Sequence, residues 1–288
     1  MRVFVVLPFL LAAGAAPEPL RLDGAAELFE KGRVSTATAT EIRIAFSPDG
    51  TRMLWGTIGR AGGAGGWDLW ESRRGPKGWS EPAAVSFNSP ENDFDPFVAA
   101  DGVYFFSNRP GGLGGDDLWF APRDARSGVY GAAVNLGASV NSPGDEWAPT
   151  LSADGTTLLF ATNGRGGAGL HDLFTSTRDG ASWKAPVAVP GVNSADEDFD
   201  AAFLHDGRTL VLTRMKKDQD GSDLYVARWN GSSYDAPQPL DGRASTPGSW
   251  NNGPAIDPSS PGWLYFSSVR KDASAGRMDV YRIRYEVP

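Results

Sequence analysis

An all-β ring of five four-stranded blades, a β-propeller, follows from three features of the 288-residue sequence. The chain repeats itself about every 52 residues, no segment of helix length carries a 3.6-residue apolar period, and the N-terminus supplies a strand that the last repeat lacks.

The repeat is anchored by Asp-Gly pairs at Asp49, Asp101, Asp154 and Asp206, with a degenerate fifth copy that places Ser260 at the same step. An apolar run follows each copy (MLWGT, VYFFSN, LLFATN, LVLTR, LYFSS), then a Gly-rich or polar loop, then a strand opened by aspartate (DLWES, DLWFA, DLFTS, DLYVA, DVYRI). Four copies end on an aromatic and usually a proline, as in GWSEPAAV. Each unit thus holds four short strands, and the Asp-Gly pair suits the tight turn between the first and second, because glycine adopts positive φ without strain. Four-stranded repeats of this length stack radially, each covering its neighbour's apolar face. The fifth repeat stops after DVYRIRYEVP without a fourth strand. APEPL (16–20) matches APQPL (236–240) at four of five positions, so residues 16–24 are expected to close the ring and remove two sheet edges. The expected repeats are 41–92, 93–145, 146–197, 198–251 and 252–288, within one domain, 16–288.

Composition agrees. The chain is 41% hydrophobic and 22% charged, as a globular protein is, and its 36 glycines, 21 prolines and 10 tryptophans fit many turns with aromatic packing. It has no cysteine, which removes disulfides, thiolate metal sites and a cysteine nucleophile, and its net charge of −8 disfavours nucleic acid and anionic lipid. Arg2, the apolar run Val3 to Leu11 and the small-residue site Ala13-Gly14-Ala15 read as a signal peptide cleaved after Ala15. That run is too short to span a bilayer, which takes about 20 residues. A periplasmic or secreted monomer without a membrane span is expected.

The stretch FSPDG (46–50) with its apolar strand, followed by FSNRPGGLGGDDLW (106–119), resembles the Pro-Asp, WD-like propeller repeat of TolB and related periplasmic proteins. The resemblance covers nearly all of the chain after the leader. It implies a propeller that binds proteins or decorates other domains, here without the extra N-terminal domain of TolB and without a peptidase domain.

Candidate site residues fall into three groups. A basic residue after the second strand (Arg60, Arg109, Arg165, Lys216, Arg270) stands seven to nine residues before the third-strand aspartate (Asp68, Asp117, Asp172, Asp223, Asp279). A charge-assisted clamp across each hairpin is expected, and its recurrence makes it structural. Eight residues before each Asp-Gly aspartate stand Glu41, Asp93, Glu146 and Asp198, with Asn252 in the degenerate copy. These lie near one mouth of the central channel, where they either satisfy neighbouring backbone N–H groups or hold a Ca²⁺; otherwise neither a metal nor a cofactor is expected. The next positions break the symmetry: Arg43, Asp93, Asp95, Trp147, Asp200 and Asn252 are the candidate ligand-binding set, since carboxylates beside aromatic rings suit a saccharide. DFDPF (93–97) also resembles the Asp-Pro strand of five-bladed glycoside hydrolases, which implies an acid and a base among Asp95, Glu146 and Asp198. His171 and His205 fall in different hairpins, so neither a Ser-His-Asp triad nor a two-histidine metal site is expected. DQDGSD (218–223) lacks the glycine position and terminal glutamate of an EF-hand and reads as a polar hairpin. The expected function is a non-catalytic module binding an envelope protein or glycan; the alternative is a glycoside hydrolase or lyase.

Overall fold

The computed structural model describes residues 20–270 and 274–288. The expected leader and residues 16–19 of the expected closing strand lie outside the described residues. Everything described is strand, turn or loop, arranged as five antiparallel sheets around one axis. Blade 1 comprises Thr40–Phe46, Arg52–Ile58, Asp68–Gly75 and a split outer strand, Gly78–Trp79 with Ala83–Ala84. Blade 2 comprises Asp93–Val98, Gly102–Ser107, Asp117–Pro122 and Val134–Asn135. Blade 3 runs Glu146–Leu151, Thr157–Thr162 and Asp172–Asp179, with Ser182–Trp183 and Val187–Ala188 outside. Blade 4 runs Glu197–Phe203, Thr209–Met215, Asp223–Arg228 and Gln238–Pro239. Blade 5 takes Asn251–Ile256, Trp263–Ser268 and Asp279–Glu286 from the C-terminus and Arg21–Leu28 from the N-terminus.

The five hydrophobic clusters lie between blades rather than inside them. Leu54 and Leu69 of blade 1, for example, pack on Phe105 and Trp119 of blade 2, while Trp55 and Trp70 pack on Tyr265 and Val280 of blade 5. Each blade therefore buries both faces, which is why its second strand reads as a continuous apolar run. Each innermost strand is also hydrogen-bonded to the preceding blade. The N–H groups of Glu41, Asp93, Glu146, Asp198 and Asn251 donate to the carbonyls of Met278, Trp67, Asp116, His171 and Ser222.

The ring closes with an N-terminal strand, but in a register different from the APEPL match. Arg21 faces Glu286 and Leu28 faces Tyr281, with a bulge between Asp23 and Glu27 where Gly24 adopts a φ of 71°. The N–H of Phe29 donates to Val280 O as that of Leu240 donates to Leu224 O. Ser35 Oγ then accepts from Val280 N–H as Ser245 Oγ accepts from Leu224 N–H. The corresponding sequences are therefore GRVS (32–35) and GRAS (242–245). Register is set by the buried apolar residue and the hydroxyl that caps the third strand. Asp-Gly turns of positive φ occur at Gly50, Gly155 and Gly207; Gly102 instead lies in its strand, opposite Pro122.

The hairpin clamps do not form as expected. Among the described residues, no basic residue of the series bonds the aspartate of its own hairpin. Arg109 pairs with Asp93 and donates to Phe87 O, and it lies over the rings of Phe105 and Trp119. Arg60, Arg165 and Arg270 likewise reach carbonyls of the loop before an innermost strand, those of Arg33, Val140 and Arg243. The aspartates serve the hairpin backbone instead. Asp68 accepts from Ala64 and Gly65 N–H, Asp117 from Leu113 and Gly114, Asp172 from Gly169, and Asp279 from Ala275 and Gly276. The glycine cluster is the steric counterpart of this arrangement. A Cβ on Gly112 would stand 1.8 Å from Asp117 Oδ2, and one on Gly114 would stand 1.9 Å from Gly144 O in the next loop.

Candidate functional site: the axial mouth and the blade 4 hairpin

The carboxylates Glu41, Asp93, Glu146 and Asp198 begin the innermost strands and are fully buried. Each is held by its own incoming loop. Ser89 donates N–H and Oγ–H to Asp93, Ser142 does so to Glu146, Ser194 to Asp198 and Thr36 to Glu41. The fifth member is Asn251, which accepts from Thr246 N–H and Ser268 Oγ; Asn252, the residue expected there, sits one place later. Burial pushes Glu41 up to about 7 and raises Glu146 and Asp198, against the lowering effect of those local donors. The bonds hold the four apart: among the described residues, no three His, Asp or Glu groups come together to hold a metal. This corrects the calcium ring at Glu41, Asp93, Glu146 and Asp198, because the lone pairs a cation needs face the loops. It also removes Glu146 and Asp198 as an acid–base pair. The signal for this role is legible in retrospect as a pair repeated five times, Asn or Ser then Ser or Thr (35–36, 88–89, 141–142, 193–194, 245–246), four or five residues before the carboxylate or amide.

Two residues past each carboxylate or amide, the innermost strands bulge. Arg43, Asp95, Ala148, Asp200 and Gly253 all adopt left-handed φ, between 42° and 60°. Three of them fill the axis. Arg43 Nη1 lies 3.5 Å from Asp200 Oδ1, Arg43 Nη2 donates to Thr150 Oγ1 at 2.7 Å, and Gly253 N–H donates to Asp200 Oδ2 at 3.0 Å. Asp95 and Asp200 share a hydrogen bond, and Asp95 Oδ1 has no other donor. Burial, then the Asp200 charge, raise Asp95 well above the ordinary carboxylate range. The cluster is a buried plug: Arg43 is 3%, Asp95 5% and Asp200 2% exposed. A glycosidase needs two carboxyls flanking an open cleft. Here the two that meet are hydrogen-bonded to each other and covered.

Above the plug runs an aromatic ladder. Trp67 lies 4.4 Å from Phe94, Phe94 stacks on Phe106 at 5.0 Å, Phe106 on Trp147 at 6.2 Å, and Trp147 on His171 at 3.7 Å. The Trp147 indole N–H donates to Asp116 Oδ2, and His171 Nδ1 lies 2.6 Å from Glu197. Trp147 therefore has rings stacked against it within the protein and is not the saccharide platform expected of it; it ties blade 3 to its neighbours. His205 binds Tyr285 Oη and Asp257 O, away from the ladder.

Blade 4 departs from the others. Only eight residues separate Arg214 from its partner Asp223, where the other hairpins have nine or ten, and the shorter loop does not fold over the aspartate. Asp223 is half-buried, not buried; Ser245 Oγ is its hydrogen-bond donor among the described residues, and no hairpin N–H reaches it. The arginine's work moves to Arg214, which binds Asp198 and Val192 O and covers Tyr225. The Lys216 side chain, left without that task, shows no hydrogen bond or ion pair among the described residues. Lys216 and Asp223 line a cleft of about 470 Å³ with Gln219, Asp220, Pro247 and Gly248. A second cleft, of about 430 Å³, lies on the outer rim between blades 1 and 2, where Glu71 is already bound by Arg73 and Tyr130.

No protein-family model and no curated protein matches the chain. Solved structures share its fold at low identity. The α-L-arabinofuranosidase of Podospora anserina is 12% identical with a TM-score of 0.54, covering 94% of this chain and 98% of its own. A structure assigned as TolB from Agrobacterium tumefaciens is 14% identical with a TM-score of 0.51, covering 85% of this chain and 82% of its own. Against TolB of Acinetobacter baumannii (12% identity, TM-score 0.49), the match covers 86% of this chain but 55% of that one. The two matches with TM-scores above 0.5 share the propeller fold with this chain, and a shared fold does not fix a function.

Proposed function

We propose that the chain is an exported, non-catalytic binding module of the cell envelope, which offers the hairpin-loop face of its ring to a protein or a glycan. One observation carries this reading: every carboxyl placed by the sequence at the mouth is consumed by the fold. Glu41, Asp93, Glu146 and Asp198 lock the loops, and Asp95 and Asp200 seal the axis with Arg43. The leader-like N-terminus supports export. Between the two ligand classes, the stacked ladder favours a protein, since the rings that would hold a sugar are spent between blades.

The test is to screen the chain on peptide and glycan arrays while following hydrolysis of plant and bacterial polysaccharides. Binding without turnover is expected. Turnover that disappears in Glu146→Gln or Asp95→Asn would show an enzyme instead.

A further inference from the structure

The repeat separates residues that hold the ring from residues that are free to bind. In blades 1, 2, 3 and 5 the third-strand aspartate is at most 3% exposed and accepts hairpin N–H groups on its carboxylate. The basic residue two or three places past the second-strand position that faces this aspartate is an arginine bonded to a loop carbonyl. Blade 4 keeps both positions but removes both tasks. Asp223 turns towards solvent with one serine donor, and Lys216 replaces the arginine without replacing its contacts. Two opposite charges thus line one cleft without pairing with each other. The structural reason that these residue types recur in a propeller repeat does not account for them here.

The cleft walls are set by backbone. Ser222 N–H donates to Ser249 O at 3.0 Å, and a Cβ on Gly221 would lie 2.3 Å from that same oxygen, so the hairpin and the loop before blade 5 cannot shift independently. A volume of about 470 Å³ is within the range of small-ligand sites. The lining is a lysine ammonium, a glutamine amide, two carboxylates, a proline and a glycine, with no aromatic ring. A saccharide site would need a stacking face, which is absent from this lining. Separated charges of opposite sign complement a molecule that carries both signs itself.

We propose that this cleft binds a small peptide zwitterion, a free dipeptide, with its carboxylate on Lys216 and its ammonium on Asp220 and Asp223. Gln219 supplies a donor and an acceptor for the amide between them. The proposal rests on the binding-module reading and names a ligand class for one part of that face.

The experiment uses the full chain and three probes: the dipeptide Ala-Ala, its N-acetylated form and its C-terminal amide, each titrated by amide-resolved NMR. Free Ala-Ala is expected to shift the resonances of Gly221, Ser222 and Gly248 with a Kd of about 1 mM, and capping either end to weaken binding about tenfold. Lys216→Met and Asp223→Asn should each weaken Ala-Ala by a similar factor, with unchanged circular dichroism; Gln219→Ala is a third variant, on an exposed side chain that the fold does not use. No shift at saturating dipeptide, equal binding of the capped forms, or the same resonances moved by maltotriose and not by Ala-Ala would each overturn the proposal. An array ligand that binds Lys216→Met as it binds the parent would overturn this inference and leave the binding-module reading standing. Polysaccharide turnover would remove that reading instead.

Discussion

Blades 2 and 4 start from nearly the same sequence pattern and use it differently. In blade 2, Arg109 crosses to Asp93 and Asp117 holds Leu113 and Gly114, so the hairpin, the aromatic rings and the innermost strand form one bonded unit. In blade 4, Arg214 binds Asp198, and the hairpin beyond it is released. The difference is one residue of loop length. A structural repeat frees side chains for other work where a loop becomes too short to use them.

The largest expected effect breaks the blade 2 side. Arg109→Met leaves Asp93 buried without its cation, at a cost of about 3 kcal/mol, whereas Lys216→Met should cost under about 0.5 kcal/mol. Urea titration of both variants checks this, and equal losses would mean that Lys216 is structural after all. Next comes Gly114→Ala, whose methyl meets Gly144 O and should cost about 2 kcal/mol. A loss near zero would show that the rim yields, contrary to its close packing.

The third prediction concerns the loop-locking Glu41 and the plug residue Asp95. Glu41 and Asp95 are raised in the folded state, so the folded chain holds protons that the unfolded chain releases. Their stabilising contribution is complete below the unfolded value. For Glu41 it declines as pH rises from 4.5 through about 7, and Asp95 acts in the same direction. The double variant Glu41→Gln, Asp95→Asn should flatten that slope, since the amide replacing the Asp95 carboxyl can still donate to Asp200, and asparagine tolerates the left-handed φ of 44° held there. An unchanged slope between those pH values would refute the raised Glu41. The smallest effect is at the bulge: Ala148→Gly should stabilise by up to about 1 kcal/mol, as relief of the φ of 53° held by Ala148 outweighs the loss of one buried methyl. Gly253→Ala should destabilise, because its Cβ would lie 3.0 Å from Arg43 Cα.

How much of the site could be read in advance differs from residue to residue. Arg43, Asp95 and Asp200 were legible as a symmetry break and do meet on the axis. Trp147 was equally legible, but its exposure was not, because the rings against it belong to Phe106 of the preceding blade and to His171, which is distant in sequence. Asn252 is displaced by one place because the fifth copy lacks the Asp-Gly anchor that fixes the spacing in the other four. The cleft was not legible at all: DQDGSD reads as a polar hairpin, and its release from Asp223 appears only when bond partners are compared across blades.

The sequence alone determined the five blades, their four strands each and the need for an N-terminal strand to close the ring. Those properties depend on period, alternation and turn residues, which are local and written five times. Only the tertiary structure decided which carboxylate each arginine meets, which rings are covered and where the closing strand starts. Each of those partners comes from another blade or loop, across a separation that the ring sets and that sequence spacing does not encode.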